Sequence, residues 1–337
     1  MLKILEKSSL FSELSDAELR EVGLFIKPFE VKKNERFFSQ GEKGDELYIV
    51  DNGSVELFIS LNSGSLKKIK TLSDGDCFGE MSIFADGARS ATAVAAKTTS
   101  GLIVAGEIFS LIRLIKRPGY ATVLRKLLVN AANSLREMTN LLSDSKSSLL
   151  QTIKQMPTDS VEDSDIDGRR KSSEEISPEN MQKFHLFKDL QINDLQTMLS
   201  RMSVIDLKKR ELLFSEGTEG DCCYIVVSGA VQIIGTVRVG ENATHNKVAF
   251  IPPGRPFGHL SFFDHSKRSA SAIAAENTKL LEFKRADFER LINEGSNEGF
   301  LLLYALLDDL VEAMKSTNRR LQFATSQPSM ILKSWMA

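Results

Sequence analysis

The sequence predicts a mainly β protein with flanking helices, built as two tandem domains of the sandwich or jelly-roll (cupin-like) class. Three observations carry this prediction. The chain repeats itself, short strand patterns alternate with glycine turns inside each repeat, and a helical pattern follows each strand-rich block. A chain of 337 residues, 42% of them hydrophobic, is long enough to give each of two domains its own core.

The internal repeat is the strongest of these observations. The stretch FSQGEKGDELYIVDNGSV at 38–55 returns as FSEGTEGDCCYIVVSGAV at 214–231, and ARSATAVAA at 88–96 returns as KRSASAIAA at 267–275. The first pair is offset by 176 residues and the second by 179, so the second copy has gained three residues, most simply near RVGENATHNK. Units of about 150 residues indicate two successive globular domains rather than a short-repeat solenoid.

Within each unit, alternating apolar and polar residues predict half-buried strands. Val55, Leu57 and Ile59 alternate with Glu56 and Ser60 just after the turn Asp51-Asn52-Gly53. Many short strands with regular turns are typical of a sandwich or jelly roll. Glycines recur where tight turns need a positive φ, as Gly41, Gly44 and Gly53 in the first copy and Gly217, Gly220 and Gly229 in the second.

A long helical pattern follows the first strand-rich block. From residue 120 to 156, leucine and other apolar residues repeat every seven positions and form a stripe along one face of the helix, called here the leucine seam. A stripe of this kind packs against a second helix, so we predict a homodimer through residues 120–156. Ser145 and Thr152 weaken the distal half of the seam, so a helix that packs on its own domain is the alternative. The residues that repeat every seven are Leu128, Leu135, Leu142, Leu149 and Met156, with Leu124, Ala131 and Met138 on the interleaved positions.

The repeat and the composition together set the expected domain boundaries. We predict a first domain with its long helix at 1–156, a flexible acidic linker at 157–180, a second domain at 181–326 and a tail at 327–337. The linker is rich in acids and serine and too poor in apolar residues to order itself. Its segment Arg169-Arg170-Lys171-Ser172 looks like the target of a basophilic kinase, or is simply part of a solvated tether.

Composition excludes several classes of function. A formal net charge of −2 with mixed signs argues against a nucleic-acid or membrane surface, and no apolar run approaches the ~20 residues that span a bilayer. The cysteines Cys77, Cys222 and Cys223 fit neither a disulfide framework nor a metal site, and we expect a cytoplasmic protein. The four histidines show no ligand pair on a strand, so we expect no metal and no enzyme.

The stretch FGEMSIFADGARSATA, residues 78–93, contains the residues that predict a binding site. A glycine that turns backbone amides inward, a short helical turn and Arg89 together make a small anion site, most simply for a phosphate. The planar guanidinium suits phosphate oxygens, and Ser90 adds a hydroxyl. Glu80 would repel the same anion, so it must accept hydrogen bonds from an attached group, most simply a sugar hydroxyl.

This arrangement resembles the cyclic nucleotide-binding domain family, whose phosphate cassette reads Phe-Gly-Glu, a short turn, then Arg, a Ser, Thr or Ala, and a small residue. The resemblance covers nearly the whole chain as two tandem domains, as in the regulatory domains of cAMP-dependent kinase. It implies that Arg89 binds the exocyclic phosphate oxygens and Glu80 the ribose 2′-hydroxyl. The ligand-binding residues it implies are Phe78, Gly79, Glu80, Met81, Ser82, Arg89, Ser90 and Ala91.

The second copy, FGHLSFFDHSKRSASA at 257–272, departs from this pattern at one place. A phosphate could still be held, but His259 replaces the glutamate and is not an ionised acceptor for the ribose. Degeneracy, a weaker cyclic nucleotide site and a different ligand all remain open. The residues of this second candidate site are Gly258, His259, Leu260, Arg268, Ser269 and Ala270.

The resemblance also indicates which base the nucleotide carries and how the protein passes on a signal. Members that prefer cGMP often place threonine after the arginine, and kinase sites for cAMP place alanine there, so Ser90 lies between the two patterns. A bacterial gene activator of this family with serine at this position uses cAMP, so cAMP is favoured over cGMP. We expect a stand-alone sensor that passes a conformational change to an unidentified protein effector. The alternatives are a ligand-independent assembly module and a kinase-type regulatory subunit. The family pattern of such subunits carries a docking segment and an inhibitory basic sequence before the first domain, whereas this sequence enters its first domain almost at once, so we expect a kinase-type subunit less than a stand-alone sensor.

Overall fold

A computed structural model describes residues 1–60, 66–84, 87–150, 170–171, 176–188, 190–239 and 242–324. The chain divides into two compact units. The first comprises Met1–Leu142 with Leu310–Ala337, and the second comprises Ser143–Asp309. No helix in the described ranges is long and apolar enough to cross a membrane.

The first unit contains two antiparallel four-stranded sheets, with strand orders β1-β8-β3-β6 and β2-β7-β4-β5. This is the jelly-roll-like arrangement that the sequence predicts. The strands are β1 (Ile26–Val31), β2 (Arg36–Phe38), β3 (Glu46–Asn52), β4 (Val55–Ser60), β5 (Leu66–Leu72), β6 (Cys77–Phe78), β7 (Thr92–Ala95) and β8 (Thr99–Ala105).

The core of this unit lies between its two sheets and is rich in aromatic rings. Phe38, Tyr48 and Phe78 come from strands of both sheets and are each at least nine-tenths buried. The rings of Tyr48 and Phe78 stack with centroids 5.0 Å apart. Aromatic pairs in such geometry add about 0.5–1.5 kcal/mol beyond area burial, so they fix the position of β6, where the candidate site begins.

Helices flank the first pair of sheets. The capping box of Ser15 and Glu18 starts the second helix, because each side chain accepts a hydrogen bond from the backbone of the other. The helices are α1 (Leu2–Lys7), α2 (Asp16–Val22), α3 (Glu107–Ile115) and α4 (Pro118–Leu150), of which the part up to Leu142 belongs to this unit, with 3₁₀ turns at Gly23–Phe25 and Glu80–Ile83.

The long helix α4 buries the proximal part of the predicted leucine seam within the chain itself. Leu124, Leu128 and Ala131 are fully buried, and Leu135 and Met138 are at most 6% exposed. These residues of the seam are therefore covered within the chain itself. The side chains of Leu142 and Leu149, and Met156 altogether, lie outside the described part of the chain.

The second unit repeats the architecture, with sheet orders β15-β12-β17-β10-β9 and β11-β16-β13-β14. Its strands are β9 (Arg170–Lys171), β10 (Ser203–Leu207), β11 (Leu212–Phe214), β12 (Cys222–Ser228), β13 (Val231–Val239), β14 (Asn242–Ile251), β15 (Pro256–Phe257), β16 (Ser271–Ala274) and β17 (Thr278–Lys284). Its helices are α5 (Pro178–Gln182), α6 (Ile192–Leu199), α7 (His259–Asp264) and α8 (Arg285–Asn293), followed by α9 (Asn297–Ala324), of which the part from Leu310 onward belongs to the first unit.

The three extra residues of the second copy fall in its β13–β14 hairpin. Val231 pairs with Ile251, whereas the equivalent Val55 pairs with Leu72, so the second hairpin is longer by three residues. The location predicted from the repeat offsets is therefore confirmed.

Part of the sequence predicted as a linker also enters the second unit. Arg170 and Lys171 form β9, which pairs antiparallel with β10 through Asp206 and Ile205. Helix α5 begins at Pro178, inside the predicted linker. Residues 157–169 and 172–175 lie outside the described ranges.

Candidate functional site

The candidate site begins where β6 ends, at a glycine that no other residue could replace without strain. Gly79 has a φ of +83°, which favours glycine. A Cβ at this position would also lie 2.7 Å from Nη1 of Arg89. The backbone then makes a single 3₁₀ turn, Glu80–Ile83, so that Gly79, Glu80 and Ser82 surround the arginine.

Arg89 is anchored by one side of its guanidinium group. Nη1 donates to the carbonyl oxygen of Glu46 at 2.6 Å, to that of Gly79 at 2.7 Å and to Oγ of Ser82 at 2.8 Å. The group lies 4.2 Å from the ring centroid of Phe38, in cation–π geometry. These contacts hold the guanidinium plane in one orientation before any ligand arrives.

The other side of the guanidinium group has unused donor capacity. Arg89 is 5% exposed, yet Nε has no hydrogen-bond partner among the described residues, and no carboxylate there forms an ion pair with it. Burial lowers the pKa of the guanidinium from its usual 12.5, but arginine remains charged in proteins. A buried cation with a free N–H is costly unless an anion pairs with it.

Glu80 supplies a buried acceptor beside this cation. Its side chain is 9% exposed, and burial raises the pKa of the carboxyl, while Lys70 and Arg89 act in the opposite direction. When ionised, a carboxylate only accepts hydrogen bonds. Glu80 can therefore bind a hydroxyl or amine of a ligand whose anionic group lies against Arg89.

All eight residues that the sequence predicts for the first site line one pocket, which is partly open to solvent. The eight are Phe78, Gly79, Glu80, Met81, Ser82, Arg89, Ser90 and Ala91.

The pocket has further walls that sequence reasoning missed. Lys70 lines it from β5, and Ser134, Glu137 and Met138 line it from α4. The i, i+3 and i+4 spacing on α4 places these three on one helix face, which is the only signal in the sequence that could have identified them. The ionisable side chains of the pocket wall are the cations Arg89 and Lys70 and the acids Glu80 and Glu137.

The second cassette reproduces this geometry around a different residue. Gly258 has a φ of +72°, and Arg268 is 4% exposed. Nη1 of Arg268 donates to the carbonyl oxygen of Gly258 at 2.6 Å and to Oγ of Ser261 at 3.0 Å, while Nη2 donates to the carbonyl oxygen of Cys222 at 2.8 Å. Its Nε has no partner in the described part of the chain. Leu260, Ser269 and Ala270 are half-buried beside it.

His259 stands where the first cassette has Glu80. It is 8% exposed, and its Nδ1 is buried without a hydrogen-bond partner among the described residues. Burial, with the positive charges of Arg255 and Arg268, lowers the pKa of this imidazole to about 4. The ring is therefore neutral at physiological pH. No group of three histidine, cysteine or acidic side chains in the described ranges is placed to hold a metal ion.

Arg285 fixes the second cassette in a way that the first copy cannot match. Its guanidinium donates to the carbonyl oxygens of Phe262 at 2.9 Å, Ser261 at 2.8 Å and Gly220 at 2.5 Å. The equivalent residue in the first copy is Gly106, where a Cβ would lie 2.2 Å from the carbonyl oxygen of Asp45. Helix α7 is thus tied to the start of α8 without a ligand.

Comparison with known proteins identifies relatives of both domains. A family model described as the cyclic nucleotide-binding domain matches residues 28–118 and 204–294. The cAMP-dependent protein kinase regulatory subunit of Dictyostelium discoideum is 23% identical over 287 residues, covering 85% of this chain and 72% of the relative. The cyclic AMP receptor protein of Thermus thermophilus is 40% identical over 80 residues, covering 24% of this chain and 36% of the relative.

A comparison with solved structures also finds matches. The regulatory domain of Toxoplasma gondii PKA, crystallised with cAMP, is 19% identical with a TM-score of 0.32, over 87% of this chain and 91% of that chain.

Proposed function

The chain belongs to the cyclic nucleotide-binding domain family, and from that membership we propose that its first domain is a sensor that binds a cyclic nucleotide in the pocket around Arg89. One observation carries the proposal. Arg89 is a buried cation that protein groups hold on one side only, and its Nε has no partner in the described ranges. A cyclic phosphate supplies the missing anion.

The neighbouring groups fit the rest of such a ligand. The buried carboxylate of Glu80 accepts a hydrogen bond from the ribose 2′-hydroxyl, and the apolar wall that includes Met138 faces the base. We propose cAMP over cGMP because Ser90 follows the arginine. The name of the Dictyostelium relative, a cAMP-dependent regulatory subunit, is in keeping with this choice.

Helix α4 is the proposed route from the ligand to a protein effector. It lines the pocket through Ser134 and Met138, and its first turns are held to α2 at the other end. There Glu21 accepts a hydrogen bond from the hydroxyl of Tyr120 at 2.5 Å and pairs with Arg117 at 2.6 Å. A ligand with different affinities for two positions of α4 would shift the population between them, and the effector would detect that shift.

A kinase catalytic subunit is the second candidate effector. The relative from Dictyostelium is a kinase regulatory subunit and aligns with 85% of this chain, through both domains. The test is a kinase assay in which the chain is added to a cAMP-dependent catalytic subunit. Inhibition that cAMP relieves would support this candidate, and unchanged kinase activity would exclude it in favour of another effector.

The site itself is tested by Arg89→Ala and Arg89→Lys, with the partly exposed Arg201→Ala as the control. Arg201 pairs with Glu294 on the surface of the second unit. We expect Arg89→Ala to abolish most binding of a fluorescent cAMP analogue while the protein stays folded. Arg89→Lys keeps the charge but loses Nε, so it should also bind weakly. Unchanged affinity in both variants would refute the site.

We also propose a homodimer and a cytoplasmic location. Because residues 124–138 of the seam are already buried within the chain, the dimer contact rests on the distal leucines of the sequence, Leu142 and Leu149. Light scattering should show the wild-type chain as a dimer and Leu142→Asp/Leu149→Asp as a monomer. A dimer that persists in the double variant would refute this contact. The free thiols of Cys77, Cys222 and Cys223 suit a reducing compartment.

The second domain is proposed to differ from the first in its ligand chemistry. His259 removes the ionised acceptor, and Arg268 uses both terminal nitrogens on the protein, which leaves Nε as its free donor. A ligand is therefore held less strongly here than in the first domain.

A further inference from the structure

Two charged residues of the first site are replaced together in the second. Lys70 pairs with Leu57 across the β4–β5 ladder, and Ala249 pairs with Ile233 at the equivalent step of β13–β14. The position of Lys70 is thus taken by Ala249, just as the position of Glu80 is taken by His259. Because one positive and one negative group leave together and the imidazole is neutral, the exchange does not alter the formal charge of the site.

The positive group that remains is Arg268, the counterpart of Arg89 in the repeat. Arg268 is buried and forms no ion pair with a carboxylate in the described part of the chain. The nearby Arg255 is half-exposed and already pairs with Asp309 at 3.0 Å. A relic site would be expected to lose or neutralise its buried cation, because an unpaired buried charge destabilises the fold. This site has kept it.

Two buried polar atoms in the second cassette have no partner among the described residues. They are Nε of Arg268 and Nδ1 of His259, on side chains that are each more than nine-tenths buried. Buried polar groups are nearly always hydrogen-bonded, and each exception calls for an explanation. The guanidinium of Arg285 donates to the backbone carbonyl oxygen of Ser261, and the hydroxyl of Ser261 accepts a hydrogen bond from Arg268. The cassette is therefore preorganised around two unused groups.

We propose that the second domain is a ligand site in its own right, for a cyclic phosphodiester monoanion whose sugar needs no 2′-hydroxyl. The proposal rests on the proposed function, since the ligand class is taken from the first domain. It concerns a different set of residues, and it assigns the two domains different sugar requirements.

The difference in sugar requirement follows from hydrogen-bonding capacity. An ionised Glu80 can only accept, so a ligand without a 2′-hydroxyl leaves a buried charge without its donor. A neutral His259 can donate or accept through Nδ1, depending on its tautomer, and leaving it unpaired costs only a neutral hydrogen bond. The first site therefore demands ribose, whereas the second tolerates deoxyribose.

The test separates the two sites in the full-length chain. Arg268→Ala leaves only the first site and Arg89→Ala leaves only the second. Each variant is titrated calorimetrically, to millimolar ligand, with cAMP and with 2′-deoxy-cAMP. In Arg268→Ala we expect removal of the hydroxyl to weaken binding by roughly 10- to 150-fold. In Arg89→Ala the same change should weaken binding by less than about tenfold.

Two results would overturn the proposal. If Arg89→Ala binds neither ligand while Arg268→Ala binds cAMP, the second domain holds no ligand and the proposed function of the first survives. If the loss on removing the hydroxyl is equally large in both variants, His259 does not set the sugar requirement. Binding by neither variant would refute the proposed function as well.

A double substitution tests the same idea by gain of function. Ala249→Lys/His259→Glu, placed in the Arg89→Ala background, restores the pair of charges found at Lys70 and Glu80. We expect it to raise the preference for cAMP over 2′-deoxy-cAMP at the second site by at least about tenfold. Thermal unfolding of the variant checks that the domain is intact. An unchanged preference in a folded variant would contradict the role given to His259.

Discussion

Replacing Glu80 by glutamine should weaken ligand binding and stabilise the empty protein at the same time. The side chain is 9% exposed and its pKa is raised by burial, so its ionised form is held in an unfavourable environment when no ligand is present. A group whose pKa is raised on folding contributes stability at low pH that is lost as the pH rises through the folded pKa. Glutamine has nearly the same volume and no charge to bury.

The expected loss of affinity follows from the change in hydrogen-bond type. A hydrogen bond to a charged group contributes about 1.5–3 kcal/mol and one between neutral groups about 0.5–1.5 kcal/mol. The difference of about 1 to 1.5 kcal/mol corresponds to a roughly 5- to 10-fold weaker complex with cAMP. Glu80→Ala removes the acceptor altogether and should reach the larger loss of about 10- to 150-fold.

Two measurements check this trade-off. Calorimetric titration gives the affinity, and thermal unfolding of the nucleotide-free protein between pH 5 and 8 gives the stability. The Gln variant should unfold at a higher temperature than wild type at pH 7, with the gap closing as the pH falls. The control is Glu56→Gln, which removes only a surface pair with Lys68 at 3.0 Å and should leave affinity unchanged.

Two outcomes would refute this reasoning. Unchanged affinity in Glu80→Gln would show that the carboxylate does not bind the ligand. A lower unfolding temperature at pH 7 would show that Glu80 acts as a structural counter-charge to Lys70 and Arg89 instead.

The remaining predictions concern the stability of the folded domains. Because burial holds the pKa of His259 at about 4 rather than 6.5, the second domain should keep its full stability above pH 6.5 and lose up to about 3 kcal/mol as the pH falls through 4. Thermal unfolding of His259→Gln should show a flatter pH dependence, and an equal slope would contradict the burial argument. Gly101→Ala should cost about 3 kcal/mol in urea unfolding, because its Cβ would lie 1.9 Å from the carbonyl oxygen of Ile49. Gly41→Ala, with a φ of +86° but open space around it, should lower the free energy of unfolding by only about 1–2 kcal/mol. If the two variants lost equal stability, the steric clash inferred at Gly101 would be refuted.

The repeat made the fold predictable, because it showed the same pattern of strands and turns twice. The offset between its segments even located the hairpin insertion at 231–251, since strands tolerate no inserted residue without a change of register. The pairing of Arg170 and Lys171 with β10 was not predictable. Edge-strand pairing uses backbone groups, which leave no sign in an acidic, serine-rich composition.

The candidate site was predictable where its residues are contiguous in sequence. Residues 78–91 form one cassette, and every predicted member of it lines the pocket. Lys70 was missed because a single lysine in the alternating pattern of a strand predicts a side chain that faces solvent. Ser134 and Glu137 were missed because the leucine seam dominates the helix pattern. The linked loss of Lys70 and Glu80 became visible only through the register of the two hairpins.

The most direct test of the central claim is a calorimetric titration of the nucleotide-free, full-length protein with cAMP and then with cGMP. We predict one tight cAMP site per chain, which belongs to the pocket around Arg89 and disappears in Arg89→Ala, and a weaker second step that remains. At 100-fold excess over Kd, bound cAMP should also stabilise the protein by about 2.7 kcal/mol. No heat and no thermal shift with either nucleotide would contradict the claim and favour the assembly module.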